Sequence, residues 1–363
     1  MSEIILKVNG KEFSGWKELE ISQSLDQLAS SFAFSYTEKY PNQIDSFDFG
    51  MGEEAIVQIN DHRLITGYIE EIDKNYDNSN HVLQIRGRDK LGDVVDCSYW
   101  EEGKTGEWLN QTVENLVKSL VSPFGISVVV DDTVRSTADE RKLSFKIREG
   151  DTIADSLSRL MREFAFLPVS YGDGKLTMTR AASERKATTA IETGKNVLAG
   201  NSYQSNTERF SRYIVKGSNT GDPVHELETF TGPSKYALDP VIARNRPIVI
   251  IHEDKTNHAG CQKRADWESM VRAGKSRSYK YVLNDWLQKD GTPWPLNALY
   301  SVNDKINKVN GSFLSSSVTF RLNGWGKTTE INLVDPKTYQ LIRMAEKIKG
   351  ENDDIDISSL IGD

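Results

Sequence analysis

The stretch AIVQINDHRLITGYIEEI (55–72) decides how this chain is read. Asp61, His62 and Arg63 stand in a row between two apolar runs. As chemistry, that row suggests a proton shuttle or a metal site. As structure, Asn60-Asp61 is turn chemistry between two strands, EEAIVQIN (53–60) and LITGYIEEID (64–73). The neighbouring sequence favours the structural reading. IILKV (4–8) runs into Asn9-Gly10, a pair that tolerates positive φ in a hairpin. SSFAFSYTEK (30–39) alternates, with Phe32, Phe34 and Tyr36 on one face, and HVLQIRGRD (81–89) closes the set. Short strands at this spacing predict a small antiparallel barrel over residues 1–103.

The periodicity then changes. In GEWLNQTVENLVKSLVSPFG (106–125), Leu109, Val113, Leu116, Val117 and Leu120 predict one apolar helix stripe, stopped by Pro123 and Gly125. A strand, ISVVVDD, follows. The stripe recurs at Ile153, Leu157, Leu160, Met161 and Phe164, and VSYGDGKLTMTR (169–180) predicts a hairpin. Residues 104–182 therefore read as an α+β domain. Strand patterns return from about 190, with SRYIVKG (211–217) among them. An inserted strand and helix are expected over 233–278, with the helix at 258–276. Strands then run from 278 to about 335. Residues 183–232 and 279–336 read together as a second barrel. The segment 337–363 reads as a short helix with Leu341, Ile342, Ala345 and Ile348 as its stripe, followed by an acidic tail.

The opening stretch has an echo. AIVQIND begins at Ala55 and ALYSVND at Ala298, and both end in Asn-Asp. A Gly follows each (Gly67, Gly311), then a strand, then a closing strand (VLQIRGRD, TEINLVD). Four ordered features predict two related barrels made by one duplication, not a short-period repeat. The expected fold class is α+β and β-rich: two related antiparallel barrels, a small α+β domain and a small helical insert.

Composition narrows the function. Among 363 residues, 37% are hydrophobic and 27% charged, as in an ordinary soluble protein. No run of about 18 apolar residues occurs, so no membrane insertion is expected. The start, MSEIILKVNGKEF, lacks a basic n-region and is not read as a secretory signal. Cys97 and Cys261 belong to no CxxC pattern and read as free thiols. The net charge of −8 argues against tight nucleic-acid binding. Residues 1–103 hold 20 Asp/Glu but only 9 Lys/Arg, so this acidic module leaves the remainder slightly basic.

Tests for catalysis fail. His252-Glu253 begins a zinc motif, but position 256 is Thr. GWGKTT (324–329) lacks the first Gly of a phosphate loop, since 321 is Arg. Glu70 and Glu71 are neighbours on a strand, which would point them to opposite faces and rules them out as a hydrolase pair. The five histidines are scattered. No catalytic, cofactor-binding or metal-binding residue is assigned, and no cofactor is expected.

Several segments together resemble the baseplate hub proteins of contractile-tailed phages, of the Mu-like class. The first is TGYI…HVLQIRGRDKLGDVVDCS (66–98), with Gly87, Arg88, Asp89, Leu91, Asp93 and Asp96 at the matching positions. The second is the amphipathic element from Gly150 to Phe164, similar in rhythm to peptidoglycan-binding LysM modules. The third is RADWESMVRAGKS (264–276), where Lys275 stands in place of the usual Arg, and the fourth is WPLNALYSVND (294–304). The resemblance covers nearly the whole chain. It implies a homotrimer that adapts a sixfold tail tube to a threefold spike and lines a channel. Its implied partners are the tail tube or tube-initiator protein, the central spike protein and other baseplate proteins. It places the protein in the virion after assembly in the bacterial host cytoplasm. Two alternatives are a peptidoglycan-binding or cell-wall-active tail module and a type VI secretion spike hub.

Overall fold

The computed structural model describes residues 3–38, 50–76, 81–181, 185–218, 232–255 and 257–340. The described residues form two compact units, one within 3–209 and 269–340, the other within 210–268. The helix predicted on Leu341, Ile342, Ala345 and Ile348 lies outside the described residues.

The larger unit begins with β1 (Ile4–Val8), β2 (Lys11–Phe13), β3 (Glu18–Ser24), β4 (Ser31–Glu38), β5 (Glu54–Ile59), β6 (His62–Tyr76) and β7 (His81–Asp89). The Asn9-Gly10 turn joins β1 to β2, both residues at positive φ. A short helix, α1 (Leu91–Asp96), follows β7. Next come β8 (Glu107–Thr112), α2 (Val113–Val121), β9 (Val128–Val130), α3 (Arg135–Ala138), β10 (Arg141–Lys146), α4 (Ile153–Phe164), β11 (Leu167–Val169) and β12 (Leu176–Thr179). The chain continues through β13 (Ile191–Glu192) and β14 (Val197–Gln204).

The smaller unit holds β15 (Arg212–Ser218), β16 (Ser234–Leu238) and β17 (Pro247–Lys255), which form a sheet of their own. Val215 and Ala237 of this sheet pack on Cys261 and Ala265 of α5 (His258–Lys275). Then β18 (Arg277–Leu283), β19 (Leu299–Asp304), β20 (Val309–Asn323) and β21 (Gly326–Val334) return to the larger unit.

The two barrel-like halves are curled parts of one continuous sheet, ordered β14-β18-β21-β20-β3-β4-β7-β6-β5-β1-β2, with β19 also on β20 and β13 on β19. One apolar core runs through both halves, from Ile4, Phe34 and Ile85 to Tyr281, Phe320 and Ile331. The half-sheets share one wiring. Reading outward, β3-β4-β7-β6-β5 of the first corresponds to β14-β18-β21-β20-β19 of the second. The long strands β6 and β20 each have 15 residues and a bulge, at Glu70 and Ser316 respectively. Aligned on the bulges, Ile85 matches Ile331 and Asp89 matches Asp335. Phe32 and Phe34 match Tyr279 and Tyr281. Asp89 and Asp335 also act alike: each accepts the backbone N–H two residues on, from Leu91 and Lys337, at 2.9 Å.

The duplication is therefore a matter of strand order, and the Asn-Asp echo is not its register. Ala55 aligns with Tyr300, two residues beyond the sequence match, because they face Gly67 and Phe313 at the same place before the bulge. Asn60 forms the tight turn at positive φ, whereas Asn303-Asp304 ends β19 and the positive φ falls on Lys308. A four-residue loop there replaces a two-residue one.

A second difference concerns 106–112. Asn110 has φ 50° and this segment is strand β8, paired with β10. The helix starts only at Val113, where Thr112 accepts the Asn115 N–H at 3.2 Å. Leu109 is thereby exposed, not part of the stripe. The α4 stripe is buried as predicted at Ile153, Leu157, Leu160 and Phe164, with Met161 half-buried, and a capping box between Thr152 and Asp155 starts that helix.

Candidate functional site

Two of the motif segments, 66–98 and 294–304, lie on the large sheet and at its seams, whereas α4 lies in the α+β core and 264–268 in the smaller unit. On β7, residues alternate: Leu83, Ile85 and Gly87 turn to the core, while Arg86 and Arg88 face out. Gly87 has no alternative, since an added Cβ would sit 2.1 Å from the Tyr68 carbonyl and 2.5 Å from the Phe32 ring. Arg88 donates twice to Glu70 at 2.8 Å and also binds Asp96 on α1. Hydrogen bonds donated to Asp96 and Glu70 hold its guanidinium above the ordinary arginine value. Arg86 meets Glu71. Glu70 and Glu71 thus serve the same face, contrary to simple alternation, because the bulge inserts one residue and re-aims Glu70. Each is occupied by an arginine, so neither is a general acid or base in this arrangement.

Asp89 lies at a seam. It is buried, accepts the Ser30 and Leu91 N–H groups at 2.9 Å, and so ties β4, β7 and α1 together. Burial pushes its carboxyl up to about 6 against the pull of those donors. Its neighbour Asp93 is raised chiefly by burial, and Asp96 is lowered by Arg88.

The second half carries its own polar determinants. Asn297 is buried at φ 54° and donates to the Tyr171 hydroxyl and the Arg180 carbonyl, both at 3.0 Å. That fastens the second half-sheet to the segment after β11 and β12. Asp304 accepts from Ile306 and Asn307 N–H groups, the Asn307 amide, the Thr193 hydroxyl and the Tyr281 hydroxyl. Burial alone would raise it, but these donors outweigh burial and hold it at about 2. At the join of the halves, Arg321 on β20 pairs with Glu20 on β3 at 2.9 Å and with Glu330 on β21 at 3.0 Å. In the 264–276 segment, Arg264 binds the buried Glu268 one helical turn on and lies 5.0 Å from the Trp267 ring. Gly274 leaves room for Thr338, whose hydroxyl would be 2.6 Å from an added Cβ.

Asp61, His62 and Arg63 sit exposed at the β5–β6 tip, with no hydrogen bond or ion pair joining them. Among the described residues, no group of three or more His, Cys, Asp or Glu could hold a metal, and no helix is long and apolar enough to cross a membrane. Sequence reasoning did not single out Arg321–Glu20; only the pairing of β20 with β3 brings them together across the chain.

The comparisons agree with this picture. A family model described as Mu phage baseplate assembly protein GpP-like, N-terminal, matches residues 3–89, and one described as baseplate hub protein gp44-like, second domain, matches 91–180. Baseplate hub protein gp44 of Escherichia phage Mu is 28% identical over 342 residues, covering 91% of this chain and 87% of that protein. The 43 kDa tail protein of prophage MuSo2 from Shewanella oneidensis superposes with TM-score 0.82 at 30% identity, covering 94% of this chain and 100% of that one. A tail protein from Neisseria meningitidis has the same fold, with TM-score 0.78 at 20% identity over 93% of this chain and 98% of that one. The matched families are structural and none is catalytic. Fold, matched family models and identity over nearly the whole chain converge, and the chain belongs to the Mu-like family of phage baseplate hub proteins.

Proposed function

We propose that three copies of this chain form the hub ring of a contractile-tail baseplate, joining a sixfold tail tube to a threefold spike around a central channel. The observation that carries this reading is the duplicated half-sheet. Each chain supplies two units of one wiring, side by side, so three chains supply six. A closed ring of such units satisfies a sixfold neighbour on one side and a threefold neighbour on the other. The partners are then the tube or tube-initiator protein, the spike and other baseplate proteins, and the protein resides in the virion after assembly in the host cytoplasm. It works by shape and is not an enzyme: the carboxylates and arginines of the polar face neutralise one another.

The domain division follows the same reading: 1–103 and 183–232 with 279–336 as ring-forming units, 104–182 and 233–278 as attachments, and 337–363 as a tail; β15 (Arg212–Ser218), read with the second ring unit, instead pairs with β16 and β17 of the attachment. Supporting it, most buried apolar residues from Leu91 to Met178 form a core of their own, while Leu167 and Val169 of β11 belong to the core of the large sheet. Electron microscopy of the purified protein tests the reading. Expected are threefold rings with six lobes around an opening; single compact particles would overturn it. The cell-wall-binding alternative is tested by pull-down on purified peptidoglycan. The apolar stripe of α4 is spent in its own core, so no retention is expected.

A further inference from the structure

Within the chain, the two half-sheets meet where β20 runs antiparallel to β3, in register from Ser317↔Ser24 to Leu322↔Leu19. By the correspondence of the halves, β6 is the counterpart of β20 and β14 the counterpart of β3. Among the described residues, these counterparts carry open edges at the matching places. Beyond Ile69, β6 pairs only with β7; apart from a bridge from Val197 to Thr193, β14 pairs only with β18.

We infer that β14 of one copy adds as a strand to the outer half of β6 of the next copy, repeating between chains the β3–β20 junction within each chain. The inference rests on the ring reading above and supplies its joint. The correspondence also fixes the register. Matching β20 to β6 through their bulges, and β3 to β14 through their pairing with β4 and β18, sets Ile72 opposite Gln204. The ladder then runs through Asp73–Tyr203, Lys74–Ser202 and Asn75–Asn201 to Tyr76–Gly200. The Arg321–Glu20 pair of the internal junction becomes an Asn75–Asn201 amide pair.

Three features of the sequence fit this occupant. An exposed edge strand is ordinarily shielded by shortness, charge or proline. β2, at the other end of the sheet, has three residues and carries Lys11 and Glu12. β14 is eight residues long, VLAGNSYQ, with no charge and no proline. It also exposes large apolar groups, Leu198 at 62% and Tyr203 at 57%, and Tyr76 at the end of β6 is 82% exposed. In the inferred register the Tyr76 ring falls beside Gly200, a position with no side chain of its own. Asp73 and Lys74 meet Tyr203 and Ser202, so no like charges oppose. The contact is head-to-tail, one β14 and one β6 per chain, which is the kind that closes into a ring.

Disulfide trapping in the full-length chain tests the register. Directly opposite antiparallel residues have Cα atoms about 4.5–5.5 Å apart, within disulfide range. In a Cys97→Ser background, Asn75→Cys with Asn201→Cys, and separately Asp73→Cys with Tyr203→Cys, should each give a covalent three-chain species under mild oxidation. The pair Asp73→Cys with Ala199→Cys is displaced by four residues, about 13 Å along the strand, and should not link. Six strands separate β14 from β6 within one chain, so a link that adds no mass overturns the pairing. Each variant's unlinked mass is measured under reducing conditions. A trimer whose in-register cysteines do not link overturns the pairing and leaves the ring. In-register links that build species other than three chains support the pairing and overturn the trimer.

Discussion

Replacing Asn297 separates backbone conformation from hydrogen bonding at the seam between the second half-sheet and the preceding α+β segment. Asn297 is fully buried, sits at φ 54° and donates to the Tyr171 hydroxyl and the Arg180 carbonyl. Each such bond contributes about 1 kcal/mol net, so losing both costs about 2 kcal/mol. Alanine also lacks the short polar side chain that lets asparagine tolerate the left-handed region, adding about 1 kcal/mol. Asn297→Ala should therefore lower stability by about 3 kcal/mol. Asn297→Gly loses the same bonds but has no Cβ to strain, and should cost about 2 kcal/mol even though its unfolded chain is more flexible. The assay is urea unfolding followed by tryptophan fluorescence, comparing midpoints at a common slope. Both variants within about 0.5 kcal/mol of the parent, or glycine clearly worse than alanine, would refute the reasoning.

Other residues give sharp expectations. Gly87→Ala forces a Cβ to 2.1 Å from the Tyr68 carbonyl and should cost about 3 kcal/mol or more, seen as loss of soluble protein or a lowered urea midpoint; near-parental stability would contradict the packing described. Asp89 is pushed up to about 6 from an ordinary 3.8, so the folded state holds its proton more tightly than the unfolded chain. Its contribution is fully present below 3.8 and is lost as pH rises through about 6, a change on the order of 3 kcal/mol. Unfolding midpoints between pH 4 and 7 should show this slope in the parent and not in Asp89→Asn; equal slopes would count against it. Trp325, 94% exposed between β20 and β21, should be replaceable by serine with less than about 0.5 kcal/mol change in the urea midpoint.

Much of the fold was legible because strand alternation and helix stripes record which face is buried. The pattern Phe32-x-Phe34 and the α4 stripe from Ile153 to Phe164 report burial directly. The 106–112 segment misled because Leu109 happens to fit the spacing of the α2 stripe, and nothing local in Asn110 announces its positive φ. Strand alternation puts Glu70 and Glu71 on opposite faces because a bulge depends on a partner strand, which sequence periodicity does not contain. The duplication was visible for an accidental reason: Asn-Asp recurs, but its two copies occupy different places, a turn and a strand end. What repeats is wiring, with Asp89 and Asp335 as its most literal trace. The join of β3 to β20 spans about 300 residues of sequence, so the Glu20–Arg321 pair left no local mark.

The ring is the claim on which the functional account stands, and solution mass reads it directly. Light scattering on the purified chain, across a concentration series, should give three times 40.9 kDa, about 123 kDa. A mass of one chain persisting at high concentration would contradict it.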